Sequence, residues 1–130
     1  MASRGTGARI KGAQFERDIS KLLTDTTGED FLRGLGQTRG GGGEVPDVQP
    51  STNTLLSNAI HIECKRQKRC NIRGALDQAH TDIALRKLSP SPIPIIITKD
   101  DREDTLVTLR LQDWLEMFNL WIQAKGLNTK

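Results

Sequence analysis

The chain has 130 residues, 35% of them apolar and 27% charged, which suits a single α/β domain with one hydrophobic core. No stretch approaches the roughly 18 consecutive apolar residues of a membrane span, the basic opening MASRGTGARIKG lacks the apolar run of a secretory leader, and two cysteines (Cys64, Cys70) with two histidines (His61, His80) are too few for a disulfide framework or an obvious zinc site. Net charge is +3 with a pI near 9.1, and its distribution is uneven: Lys65, Arg66, Lys68, Arg69 and Arg73 form a run with no acid among them, Arg4, Arg9 and Lys11 form another, and acids gather at Asp100, Asp101, Glu103 and Asp104. One face for a phosphate backbone would look like this, and so would an ordinary solvated basic face.

Residues 1–11 read as a flexible basic arm, with a single domain from 12 to 130. Over 13–23, Phe15, Ile19, Leu22 and Leu23 recur at helical spacing, and Glu16 falls at the margin of the face they bury. A carboxylate there wants a partner, either a simple salt bridge to a lysine or arginine or a bound cation. A polar connection follows, then a short strand near 31–38. Arg39 and the four glycines at 40–43 predict a loop that is costly to order, hence mobile. Residues 45–49 and 53–57 read as extended hairpin arms broken by Pro50.

The clearest strand is 59–66, where Ile60, Ile62 and Cys64 alternate with His61, Glu63 and Lys65 and the two sets face opposite ways. His61 shares the face of Glu63 and Lys65 and could help bind DNA or water, but as a lone histidine on a half-exposed strand it is expected to be simply solvated. Asn71 can cap a helix over 72–88 whose core face is Ile72, Ala75, Leu76, Ala79 and Ile83; Gln78 lies about 120° from the centre of that face. Ser-Pro-Ser-Pro ends it. An apolar strand at 93–98, an acidic turn, a strand at 105–110 and a helix over 111–124 complete the chain. That last helix carries Leu111, Trp114, Leu115, Phe118, Trp121 and Ile122 on one side, widened by Met117 and Leu120. The arc is broader than packing on one face requires, so it suits either burial within the monomer or a protein interface, such as that of a homodimer. The order α, three strand-like segments, α, β, β, α predicts a mixed sheet flanked by helices, with an antiparallel meander followed by a helical crossover to a parallel strand.

Glu63 and Lys65 project from the same face of their strand, and Asp47 sits in a Val-Pro-Asp-Val turn stiffened by Pro46. Hydrolysing a phosphodiester needs hard oxygen ligands for a divalent ion and a cation beside the reacting group. The main-chain carbonyl of Cys64, between Glu63 and Lys65, could add a further ligand.

Pro46-Asp47, followed after fifteen residues by Glu63-Cys64-Lys65, resembles the PD-(D/E)xK nucleases of the restriction-endonuclease-like fold. The segment Gly12-Ala13-Gln14-Phe15-Glu16-Arg17-Asp18-Ile19 is similar to the first-helix motif of archaeal and phage Holliday junction resolvases. Arg39 and the glycines stand before Pro46-Asp47, where those resolvases carry a substrate-contacting loop, and a helix containing Gln78 follows Glu63-Cys64-Lys65. The resemblance covers about residues 12–98 in the family's order and, more loosely, extends to the closing Leu111-Gln112-Asp113-Trp114-Leu115.

It implies an α/β fold with an αβββαβ core plus a C-terminal strand and helix, and a Mg²⁺-dependent endodeoxyribonuclease that accepts Mn²⁺. Glu16, Asp47, Glu63 and Lys65 would be catalytic. Glu16, Asp47, Glu63 and the Cys64 carbonyl would hold the metal. Arg39, Gly40, Gly41, Arg66, Lys68, Arg69, Arg73 and Gln78 would contact DNA. A homodimer built on Trp114, Phe118 and Trp121 would suit paired cuts at a junction, and the setting would be the cytoplasm of a prokaryotic or phage-infected cell. One departure stands out: the resolvase loop usually offers a serine near the site, and here the nearest hydroxyl is Thr38. The alternatives are a nuclease acting on flaps, nicks or linear duplex, and an inactive DNA-binding module of the same fold.

Overall fold

The computed structural model describes residues 4–34 and 45–129, with side chains from residue 7 onward. The elements are α1 (Arg4–Thr27), β1 (Phe31–Arg33), β2 (Val48–Pro50), α2 (Thr54–Ala59), β3 (Ile60–Gln67), α3 (Ile72–Arg86), β4 (Ile93–Asp100), β5 (Thr105–Thr108) and α4 (Leu111–Ala124). The five strands form one mixed sheet in the order β1-β2-β3-β4-β5. The first three pair antiparallel, β3 and β4 pair parallel across the α3 crossover, and β5 returns antiparallel at the edge. This is the expected α/β architecture, consistent with a restriction-endonuclease-like fold.

The alternation along β3 sorts its residues between two layers. Ile62 and Cys64 join Phe15 and Ile19 of α1, Phe31, Val48 and Ile97 in the larger core cluster. On the opposite face Ile96 meets Ala75 and Ala79 of α3, where two small side chains let the helix lie close to the sheet. Asn71 caps α3 as expected, its side chain accepting a hydrogen bond from the Gly74 amide at 2.9 Å. No helix among the described residues is long and apolar enough to cross a membrane. Cys64 and Cys70 are both free thiols.

Two local expectations change. Residues 54–59 form the short helix α2, not an extended hairpin arm, because the Asn53 side chain accepts from the Leu56 amide at 3.1 Å and starts a helical turn. Helix α1 begins at Arg4, nine residues before the apolar periodicity starts at residue 13, so residues 4–11 are its first turns and not a separate arm. Those turns bury no apolar stripe, and Ile10 is exposed. They are tied down instead by Lys11, which forms an ion pair with Asp101.

Candidate active site

Asp47 precedes β2 and is held by the backbone on three sides. Its amide donates to the Ile62 carbonyl at 3.0 Å, its carbonyl accepts from the Gly34 amide at 2.8 Å, and its Oδ2 accepts from the Cys64 amide at 2.8 Å. The last bond joins Asp47 to the midpoint of the Glu63-Cys64-Lys65 segment. Gly34 makes this arrangement possible. A Cβ there would lie 1.9 Å from the Pro46 carbonyl oxygen, which is backbone and cannot swing aside. Gly34→Ala is therefore expected to cost about 3 kcal/mol and lower Tm by about 10 °C; a thermal melt superimposable on wild type would refute the close approach.

Three side chains meet around Asp47. Glu63, buried on β3, raises the Asp47 carboxyl by its charge and by a hydrogen bond. With burial as the largest cause, Asp47 is pushed up to about 7. Glu16, on α1 beside Phe15, is also raised, first by burial and then by the charge of Asp47. Lys65, on β3, works against both shifts. Two carboxyls that resist ionisation side by side, with a third in contact and one lysine too few to neutralise them, form a donor set of hard oxygens suited to a divalent cation. The salt bridge foreseen for Glu16 is present as well: Arg33 Nε on β1 donates to Glu16 Oε1 at 3.2 Å. Cys64 turns its side chain into the core, where burial pushes the thiol up, so a role in the site is left to its backbone.

The neighbouring basic run divides. Lys68, Arg69 and Arg73 are exposed in the β3–α3 turn and the start of α3. Arg66 instead turns its guanidinium toward Asp101 and the Lys99 carbonyl, and Asp101 also holds Lys11, which keeps its carboxyl down at about 2. Gln78 is exposed, as its helical position suggested, and donates to Asp82 at 3.2 Å. It shares with Lys65, Gln67, Asn71, Gly74 and Ala75 a cleft of about 210 Å³ between the end of β3 and the first turns of α3. Arg39, Gly40 and Gly41 lie outside the described residues.

His61 differs most from expectation. It is fully buried, at 0% exposure, with Nε2 2.9 Å from Glu63 Oε1 and Nδ1 3.4 Å from an Arg86 guanidinium nitrogen. Burial is the largest cause of its lowered pKa, about 4, followed by the charge of Arg86, so the ring is neutral. The α3 face of the sheet, expected to be half-exposed, is sealed by the helix. Asp82 completes a buried group in which one ligand atom each of His61, Glu63 and Asp82 lies within 4.8 Å of the others. Sequence reasoning passed over these residues although a signal existed: Asp82 and Arg86 follow Ala75 and Ala79 at helical spacing, which puts charged groups on a core-facing stripe.

Asp47, Glu63, Glu16 and Lys65 thus converge from the entry to β2, from β3 and from α1, with an open cleft at Lys65 and the exposed cations Lys68, Arg69 and Arg73 in the segment that follows. No curated protein and no solved structure matches the chain. A family model does match, over residues 7–127, a span that takes in all four residues and the final helix. The chain belongs to the family of phage putative PDDEXK endonucleases.

Proposed function

We propose that the protein is a DNA endonuclease dependent on a divalent cation, Mg²⁺ in the cell with Mn²⁺ able to replace it, and selective for branched DNA of the four-way-junction kind. The observation that carries this reading is the convergence of three carboxylates, Glu16, Asp47 and the buried Glu63, with Lys65, which also lines a polar cleft. Asp47 and Glu63 would hold the cation, with Glu16 and the Cys64 carbonyl completing its shell. When bound, the cation supplies a Lewis acid that neutralises phosphate charge and makes water more acidic. Lys65 would face the phosphate and stabilise the negative charge that builds as water oxygen bonds to phosphorus and the P–O bond to the leaving sugar oxygen breaks. Lys68, Arg69 and Arg73 would hold neighbouring phosphates, with Gln78 and Arg39 as further contacts. Arg66, committed to Asp101, is left out of that set.

The resemblance of the 12–19 segment to junction resolvases supports a branched substrate. The deciding experiment is a cleavage assay with Mg²⁺ on a four-way junction, a flap, a nicked duplex and a linear duplex. Paired nicks confined to the junction are expected. Cutting of the other substrates would retain the nuclease and discard the selectivity. Tight binding with no cutting in either Mg²⁺ or Mn²⁺ would overturn the nuclease reading.

A second copy of the chain is the partner that α4 fits. Trp114 and Trp121 are 44% and 49% exposed, and Phe118 stacks between them at ring-centroid distances of 4.5 and 5.9 Å. Leu111, Leu115, Met117 and Leu120 are exposed on the same helix, and Asp113 is its one buried residue. An open groove of about 530 Å³, lined by Val107, Thr108, Leu109, Leu111 and Trp114, runs between α4 and β5. An exposed aromatic row beside an apolar groove is the kind of surface that a subunit contributes to the core of a dimer interface. The helix has no basic residue, which disfavours nucleic acid or a lipid surface as its occupant. Sedimentation at tens of micromolar protein should give a dimer, and Trp114→Glu with Trp121→Glu should give a folded monomer. A wild-type monomer at those concentrations would refute the interface.

A further inference from the structure

We propose that His61 is a positioning residue for Glu63: locked by Arg86 in the tautomer that donates from Nε2, it fixes the rotamer in which Glu63 faces Asp47. The inference rests on the reading of Glu63 as a metal ligand. Arg86 comes from the last turn of α3, and one guanidinium nitrogen donates to the Ser57 carbonyl at 3.0 Å, so its orientation is held from the far side. The other nitrogen lies 3.4 Å from His61 Nδ1. A guanidinium can only donate, so Nδ1 presents its lone pair and the ring proton sits on Nε2. That N–H, 2.9 Å from Glu63 Oε1, occupies one oxygen of the carboxylate. Glu63 also shares a hydrogen bond with the Asp47 carboxyl, so a hold on Oε1 keeps the whole side chain in the rotamer that reaches Asp47.

The same geometry argues against a separate metal centre at His61, Glu63 and Asp82, close as their ligand atoms are. An imidazole nitrogen must be unprotonated to bind a metal. Here the free lone pair points at an arginine, and the nitrogen aimed at Glu63 carries the proton. Asp82 is occupied in turn by the Gln78 amide, at 3.2 and 3.3 Å from its two oxygens. The arrangement mirrors the outer-shell partners that orient ligating side chains in metalloproteins, whose loss commonly lowers metal affinity 10- to 100-fold. His61, with no exposed surface, cannot touch DNA.

The test is direct titration of the full chain with Mn²⁺ by calorimetry, on wild type, His61→Phe and His61→Gln, with apo melts to confirm folding. Phenylalanine fills the space without a donor; the glutamine amide can replace the Nε2–H. His61→Phe is expected to bind Mn²⁺ about 10- to 100-fold more weakly, with DNA affinity unchanged, and His61→Gln to stay within about threefold of wild type. If His61→Phe does not fold, Arg86→Met, which frees the tautomer, should weaken Mn²⁺ binding several-fold. Wild-type affinity in the folded phenylalanine variant, or in Arg86→Met where that one is used, would overturn the role. So would a glutamine variant as weak as the phenylalanine one, since His61 would then act as a ligand. Failure of wild type itself to bind Mn²⁺ would instead remove the metal reading of Glu63, and this inference with it.

Discussion

Lys65→Ala protein is expected to fold, to bind DNA about as tightly as wild type, and to cut it about 100- to 1,000-fold more slowly. Lys65 projects from the same face of β3 as Glu63 and lines the cleft mouth. It also lowers the Asp47 carboxyl and, after the larger effect of Arg33, that of Glu16, against burial and their mutual repulsion. Its removal has a second signature. Both carboxyls should hold their protons to higher pH, so the acid limb of the residual rate should move upward. Single-turnover cleavage across pH 5.5–9 reads both effects (a range chosen to bracket the ordinary titration of a raised carboxyl, roughly pH 6–8). A rate equal to wild type would remove Lys65 from the chemistry, and a slow variant with an unmoved acid limb would confine it to contact with the phosphate.

Asp47→Asn should abolish cation-dependent cleavage and, without added metal, change the pH dependence of stability in a defined direction. Asp47 titrates at about 7 in the folded chain and near its ordinary value, about 3.9, in the unfolded one. Below about pH 4 both states are protonated, and the folded state keeps the full benefit of a neutral group. Between about pH 4 and 7 the unfolded chain gives up its proton while the folded chain retains it, so folding stability declines as pH rises through that window. Asparagine cannot titrate, so the variant should show a flatter profile and the greater stability near pH 7. Cation binding has the opposite sign: it must displace the Asp47 proton, so wild-type affinity should strengthen as pH rises through about 7. Urea denaturation of both proteins at pH 4.5 and 7.5 distinguishes them. Parallel profiles would show that Asp47 carries no raised pKa, and full activity in the variant would end its role as a ligand.

The strands and helices that bury one face were legible because burial imposes a period. Phe15 and Ile19, the β3 alternation and the Ala75–Ala79 stripe each appear in the sequence and each pack as expected. Segments held by polar contacts were not. Helix α2 contains no buried residue, and a single Asn53 cap decides between helix and strand there. The first turns of α1 carry no apolar stripe, and their one long-range contact among the described residues, Lys11 with Asp101, spans ninety residues of sequence. The site shows the same division. Spacing alone puts Glu63 beside Lys65, whereas Glu16 and Asp47 join them only through the resemblance, since no local pattern links α1 to β3. Arg33 had no sequence signal at all. His61 was misjudged because the strand was read as half-exposed, and only the path of α3 shows that the face is sealed. The aromatic face of α4 was legible as a pattern, but the choice between monomer core and outer surface required the folded chain, in which the face is exposed.

Strand β3 serves two unlike purposes with one run of residues: Ile62 and Cys64 build the α1 core, and His61, Glu63 and Lys65 build the polar side. Such a strand is open to change by substitution and closed to change by length. Inserting or deleting one residue within β3 ahead of Glu63 would turn every later side chain of the strand to the other face, driving the carboxylate and the lysine into the apolar core and the aliphatic groups into the cleft. A change of length in this scaffold is therefore absorbed in loops outside the strand, while the reading frame of β3 itself has to stay intact.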